Sequence, residues 1–194
     1  MADQLATPGQ LASALQQDLD AATADVWLNA ATAVVQNAAG RQRILEVVDD
    51  EAELIGTTES WLWLPQRPVS AVESVTLDGV ELTAGTGSEE YDRYGSRLWR
   101  TCGWAACAWK PSRVAVVYTH GYATGDQGLE LARSSVLNLA RSVYPNPTGA
   151  TQIKIDDYAE VFSALSARME VSTGLKAALK SQYGRRSGLV KAAG

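Results

Sequence analysis

The hydrophobic pattern of the chain changes period twice. Leu11, Leu15 and Leu19 recur every four residues, which predicts a helix with one narrow apolar stripe. Thr7-Pro8-Gly9-Gln10 supplies its start, because Thr7 can cap, proline is tolerated at the first helical position, and Gln10 lies three residues after the cap. Asp20 can cap a second helix over 21–39, closed by Gly40. Its predicted apolar face holds Trp27, Ala31, Val34 and Ala38, flanked by Val26, Ala30 and Val35, and its alanines permit close approach of another helix. From Arg43 the period becomes strand-like, with strands predicted over 43–48, 60–64, 69–77, 80–83, 97–101 and 113–119. The acids Asp49-Asp50-Glu51 read as a solvated turn, and the polar segment 84–96 as a loop.

Residues 60–82 stand out within the strand region. On an extended strand alternate residues share a face, so Trp61 and Trp63 point one way and Leu62 and Leu64 the other. Both faces are apolar. Pro65 and Pro68 interrupt the ladder, and Asp78-Gly79 supplies a tight hairpin turn.

Beyond Gly121 the helical period returns. Asp126 can cap a third helix carrying Leu129, Ala132, Val136, Leu137, Ala140 and Val143, ended by Pro145 and Pro147. Ile153, Ile155 and Tyr158 suggest an extended segment, whereas 161–169 fits a strand or a helical turn. Ser172 or Thr173 can cap a last helix that aligns Leu175, Leu179 and Tyr183 and runs into a basic tail. The expected fold class is α+β: a small bundle of about four helices with an inserted antiparallel β subdomain and an extended C-terminal tail. The expected division is 1–42 for a helix pair, 43–122 for the insert, 123–147 for the third bundle helix and 148–194 for the C-terminal segment.

Composition narrows the function classes. A chain of 194 residues with 46% hydrophobic content can bury a core. Its net charge of −5 argues against general nucleic-acid binding, which needs clustered Lys and Arg. The charge is polarised: residues 1–60 hold ten Asp and Glu against Arg41 and Arg43, while nothing acidic follows Glu170. Such polarity suits an assembly whose two ends meet different partners. No apolar run approaches the length of a membrane helix, and MADQLATPGQ lacks the basic and greasy regions of a secretion signal. With only Cys102 and Cys107, a disulfide framework is not expected, which fits synthesis in a reducing compartment.

Candidate chemistry is sparse. His120, the only histidine, reads as a polar residue at a strand end rather than as half of a Cys-His pair. The two cysteines and one histidine make a poor zinc site. Asp156-Asp157 and the acids at 49–51 lack calcium-loop spacing, and Gly85-Thr86-Gly87 lacks the Gly-Lys-Ser/Thr of a phosphate loop. Neither an enzyme, a metal nor a cofactor is expected. A small Cys/His enzyme using Cys102 or Cys107 with His120 is the alternative from another class. The tryptophans offer more, since Trp61, Trp63, Trp99, Trp104 and Trp109 account for five of the six. They could form the subdomain core or face a neighbouring subunit.

The ordered set of segments TPGQLASALQQDLDAATADVWLNAATAVV (7–35), WLWLPQRPVSAVESVTLDG (61–79), VVYTHGY (116–122), LARSSVLNLAR (131–141), IKIDDYAEVF (153–162) and LKAALKSQYGRR (175–186) resembles the head-to-tail connector, or adaptor, proteins of long-tailed bacteriophages. Its alanine-rich, tryptophan-rich character resembles versions from phages of actinobacteria. The resemblance implies a structural virion protein made in the host bacterial cytoplasm. It implies a dodecameric ring beneath the portal that extends the DNA channel without gripping DNA and joins a stopper or tail-completion protein. Carried onto this chain, portal docking falls to Leu175, Lys176, Leu179, Lys180, Tyr183, Arg185, Arg186 and Leu189. Trp61, Trp63 and Trp27 are the candidate subunit interface. Asp18, Asp20 and Asp25 are candidates for a lumen that repels phosphate. A stopper or tail-terminator protein is the alternative within the same class.

Overall fold

The computed structural model describes residues 4–105, 109–144, 152–155, 158–161 and 171–184. The chain divides into two compact units. One is built from the two chain ends, up to Ile44 and from Gly125 onward, and the other from Leu45–Thr124.

In the first unit Thr7, Asp20 and Ser172 cap the helices predicted for them, while Asp126 caps a 3-10 turn ahead of the third helix instead of that helix. Helix α1, Pro8–Leu15, opens on a reciprocal capping box: Gln10 N–H donates to Thr7 Oγ1 at 3.3 Å, and Thr7 N–H donates to Gln10 Oε1 at 3.0 Å. It ends after two turns because Gln16 turns left-handed at φ 55. Leu19 therefore lies outside it, and Leu11 is its only buried residue. Helix α2, Ala21–Ala38, is capped by Asp20, whose carboxylate accepts from Thr23 N–H at 2.8 Å and from the Thr23 hydroxyl at 2.6 Å. Its buried stripe is rotated from the predicted one. Ala24, Ala31 and Ala38 lie every seven residues with Leu28 and Val35 beside them, while Trp27 and Val34 are half-buried and Val26 is exposed. Small alanines let another helix approach closely, and an indole does not fit that seam.

A single 3-10 turn, Gln127–Leu129, capped by Asp126, leads into α3, Glu130–Val143. Helix α3 packs against both α2 and α1. Leu139 is buried on it and the predicted Leu137 only half so. Helix α4, Thr173–Gln182, starts at Ser172, whose hydroxyl accepts from Leu175 N–H at 3.2 Å. Leu179 and Tyr183 are buried. The Tyr183 hydroxyl donates to the Gly128 carbonyl at 2.6 Å and accepts from Ala132 N–H at 3.3 Å. That amide belongs to the first turn of α3, where N–H groups have no partner within the helix.

The second unit is one seven-stranded sheet in the order β1-β7-β3-β4-β5-β6-β2. The strands are β1 Val47–Gly56, β2 Trp61–Trp63, β3 Val69–Leu77, β4 Val80–Ala84, β5 Glu90–Tyr94, β6 Arg97–Trp99 and β7 Ser112–His120. Neighbours pair antiparallel except β4 and β5, which run parallel, so the expected antiparallel subdomain is mixed at that step. Inward side chains of every strand, including Leu54, Leu62, Val75, Leu82, Tyr91, Leu98 and Val116, meet in one cluster. The sheet is thus curled and nearly closed on itself.

Three expectations within this sheet were incorrect. The strand expected over 43–48 begins only at Val47. The acids at 49–51 lie inside β1 rather than in a turn. A bulge at Asp49, φ 53, shifts the register between Val47 and Asp50, after which Ala52 and Leu54 face the core and Glu51 and Glu53 face water. A terminal strand can carry acids on its wet face at little cost. The segment read as a loop, 84–96, contains β5, of which only Tyr91 is buried, so its polar neighbours hide the alternation.

Trp104 closes the cluster and is wholly buried. Its backbone N–H donates to the Thr57 carbonyl at 2.7 Å, and its indole N–H to the Ser60 carbonyl at 3.0 Å. Gly56 lies so close beneath it that a Cβ there would meet the Trp104 carbonyl oxygen at 1.8 Å. The connection from β1 to β2 is therefore laid along this one residue. At the opposite hairpin Asp78 and Gly79 both have positive φ, 51 and 86, as a tight turn between twisted strands requires. Finally, β8 Gln152–Ile155 and β9 Tyr158–Val161 form an antiparallel pair, matching the extended reading of Ile153, Ile155 and Tyr158.

Replacing Tyr183 by Phe is expected to leave Ala132 N–H without a partner in a buried position. Gly128 keeps a donor, since Gln182 Nε2 reaches its carbonyl at 3.3 Å. The expected loss is about 1–3 kcal/mol, read as a lower urea midpoint at unchanged slope.

Candidate protein-protein interface

Strand parity decides the fate of the tryptophans. In β2, Leu62 is buried opposite Leu98, whereas Trp61 and Trp63 lie on the outer face, 38% and 47% exposed. Trp63 pairs across the ladder with Arg97, and the Arg97 guanidinium sits 4.5 Å from the Trp61 ring centre and 4.8 Å from that of Trp63. Tyr94 adds a third exposed ring, edge-on to Trp61 at 5.5 Å. Trp104 serves the core, Trp99 is half-buried and Trp109 is exposed. The core reading holds for Trp104, while Trp61 and Trp63 are left exposed on the outer face. In the other unit Trp27 is half-buried on α2.

The basic helix α4 separates its functions by face. Lys176 and Lys180, one turn apart, are exposed, and Leu175 is half-buried. Leu179 and Tyr183, candidate anchors for a partner, are both buried, and Tyr183 ties the end of α4 to the start of α3. Arg185, Arg186 and Leu189 lie outside the described residues.

Among the candidate lumen acids, Asp18 is exposed and Asp25 accepts from Gln4 Nε2 at 3.1 Å. Asp20 is committed as the α2 cap. Hydrogen bonds from the Thr23 side chain and then its backbone hold its carboxyl below the usual carboxylate range.

His120 does end a strand, but it is fully buried rather than merely polar. Its Nε2 lies 3.0 Å from Asp50 Oδ2, and its ring lies against Tyr118 at 5.2 Å. The pair ties β7 to β1 beside the bulge. Cys102 is exposed, and Cys107 lies outside the described residues. Among the described residues no three His, Cys, Asp or Glu side chains gather as a metal site, and no helix is long and apolar enough to cross a membrane.

No family model and no curated protein matches the chain. Solved structures do. A chain titled as the neck of a native GTA particle, computed with C12 symmetry, aligns at TM-score 0.50 and 19% identity, covering 93% of both chains. The two share a fold. A chain from the neck of an empty GTA particle, computed with C6 symmetry, aligns at TM-score 0.48 and 17% identity over 87% of this chain and 81% of that one. A chain from the virion of a native gene transfer agent (GTA) particle aligns at TM-score 0.43 and 20% identity over 77% and 76%.

The hairpin tip at Asp78-Gly79 is tied back to β7. Asp78 N–H donates to the Arg113 carbonyl at 2.8 Å, and Arg113 N–H donates to Asp78 Oδ1 at 2.8 Å. That backbone donor first, then the Ser112 hydroxyl, with the charges of Lys110 and Arg113 adding, holds the Asp78 carboxyl below the usual carboxylate range. The stability it contributes is complete above the ordinary carboxylate value of about 4 and is lost as pH falls through the lower folded value. Asn keeps an acceptor oxygen and tolerates the left-handed turn. Asp78→Asn is expected to lower neutral-pH stability slightly, by the contribution of the ionised carboxylate, and to make the acid-side decline shallower, measured as urea midpoints from neutral pH into the acid range.

Proposed function

We propose that this chain is a non-enzymatic neck protein of a phage-like virion. It forms a ring, a dodecamer, that lies beneath the portal, extends the DNA channel and receives a stopper or tail-completion protein on its far side. The observation carrying this reading is the fold shared with a neck chain over 93% of both chains, in a particle computed with C12 symmetry. The ordered segments that resemble long-tailed phage adaptors point the same way, as does the separation of an acid-rich beginning from an acid-free end. No cofactor or metal takes part, and DNA passes without specific binding.

Within this reading the portal meets the exposed side of α4, through Lys176 and Lys180, together with Arg185, Arg186 and Leu189 beyond it. Leu179 and Tyr183 support that helix from behind. Leu175, at the edge of the covered face, can extend the contact. Deleting residues 185–194 removes the distal contacts and spares Leu179, Tyr183 and Gly184. The truncated protein is expected to fold with unchanged circular dichroism and to fail to attach to DNA-filled heads in a reconstitution assay. Normal attachment would show that docking lies elsewhere.

The lumen in this proposal is lined by Asp18 and Asp25, with Asp20 contributing charge while it caps α2. Repulsion of phosphate keeps the channel from gripping DNA. Changing Asp18 and Asp25 to Lys, with Asp20 retained so that α2 keeps its cap, is expected to give particles that assemble at normal yield and eject DNA more slowly. Unchanged ejection kinetics would remove these residues from the lumen.

A further inference from the structure

The outer face of β2 holds a charged group in an unusual setting. The Arg97 guanidinium is placed over the rings of both Trp61 and Trp63, at 4.5 Å and 4.8 Å. Indole is the strongest aromatic partner for a cation, and a guanidinium stacks on it by its planar face. Stacking leaves the in-plane N–H groups pointing away from the rings. Among the described residues Arg97 makes no ion pair and no hydrogen bond with a carboxylate. Two exposed tryptophans and a pre-oriented arginine are the residue types that dominate binding energy at protein interfaces. The tryptophans sit on β2, the last strand of the sheet, which pairs with β6 alone, and Arg97 reaches them from β6.

The sheet's other terminal strand carries the opposite chemistry. Strand β1 pairs with β7 alone and turns Glu51, Glu53 and Ile55 to water, Ile55 at 72% exposure. Glu51 makes no ion pair among the described residues. Glu53 approaches Arg113 only at 4.0 Å, with both side chains largely exposed, an arrangement that contributes little. A row of two carboxylates and an isoleucine therefore matches a row of two indoles around a guanidinium. The two rows lie on different strands of one chain, so one copy can offer its β1 to the β2 of the next. A head-to-tail, ring-forming contact requires two such different surfaces.

We infer that Arg97, held between Trp61 and Trp63, is the central contact between adjacent subunits, and that it receives the carboxylates of Glu51 and Glu53 from the β1 strand of a second copy. The guanidinium can take a carboxylate through two parallel N–H donors while the indoles cover Ile55. This rests on the ring reading above and assigns the residues that close it.

The test uses the full-length chain with a photoreactive benzoylphenylalanine at Tyr94, beside the clamp, irradiated over a range of protein concentrations. Cross-links between copies are expected to map to β1, and Arg97→Glu is expected to lower their yield about tenfold or more, the loss typical of a central interface residue. Arg97→Lys keeps the charge but not the stack, and its yield should fall between those of the parent and Arg97→Glu. Combining Arg97→Glu with Glu51→Arg and Glu53→Arg should restore the link. Cross-links that map to another surface, their complete absence, or a yield indifferent to Arg97→Glu would each overturn the inference, as would capture of an acidic protein other than this chain at Tyr94. The neck reading is checked separately by mass spectrometry of purified particles. A chain present in particles without the β1 link refutes only the Arg97 assignment, whereas absence from particles refutes the neck reading.

Discussion

The β unit depends on how one buried indole holds the passage between its two terminal strands. Strands β1 and β2 are consecutive in sequence yet stand at opposite ends of the strand order. The four residues between them must leave one strand and enter the other without a hairpin ladder to fix them. Trp104 supplies the missing partners, binding the Thr57 carbonyl by its backbone and the Ser60 carbonyl by its ring. Ser60 also accepts from Arg100 N–H at 2.9 Å, so β6 shares the anchorage. The indole fills the core at the same point, which couples the path of the chain to the packing of the cluster.

That anchorage determines what β2 shows to solvent. With Ser60 fixed, Leu62 enters the core and Trp61 and Trp63 emerge. The two greasy sides of this stretch are thus explained by different neighbours, one intramolecular and one left open. The aromatic outer face is kept in place by Arg97 on the adjoining β6 and by Tyr94 at the end of β5. An outer surface held this firmly loses little side-chain entropy on meeting a partner.

Much of the fold was legible because it rests on local rules. Thr7, Asp20 and Ser172 cap where their position before an apolar period predicts, and Asp126 caps the 3-10 turn ahead of α3 rather than α3 itself. Strand β3 and the Asp78-Gly79 turn follow from alternation and from left-handed turn chemistry. What escaped was decided by tertiary context. The buried stripe of α2 is chosen by the helices it meets, not by its largest side chain, so Leu28 displaces Trp27. Strand β5 is held by partners on both sides although its own composition is polar. Of the candidate site, parity showed that Trp61 and Trp63 share one face and Leu62 and Leu64 the other, but which face turns outward was set by the fold. The burial of Leu179 and Tyr183 was not readable, because a helical stripe looks the same whether its own chain or another covers it. Arg97 carried no pattern in sequence; only the ladder brings it between the two indoles.

The bulge at Asp49 makes β1 a strand of two phases. Before it Val47 faces inward; after it the inward residues are Asp50, Ala52 and Leu54, three and then two apart. A single left-handed residue thus acts as a phase shifter that sorts an acid-rich segment into a wet side and a dry side. Without that one extra position the same letters would carry Glu51 and Glu53 into the core and leave His120 facing no carboxylate. The segment can change its side chains more freely than it can change its length.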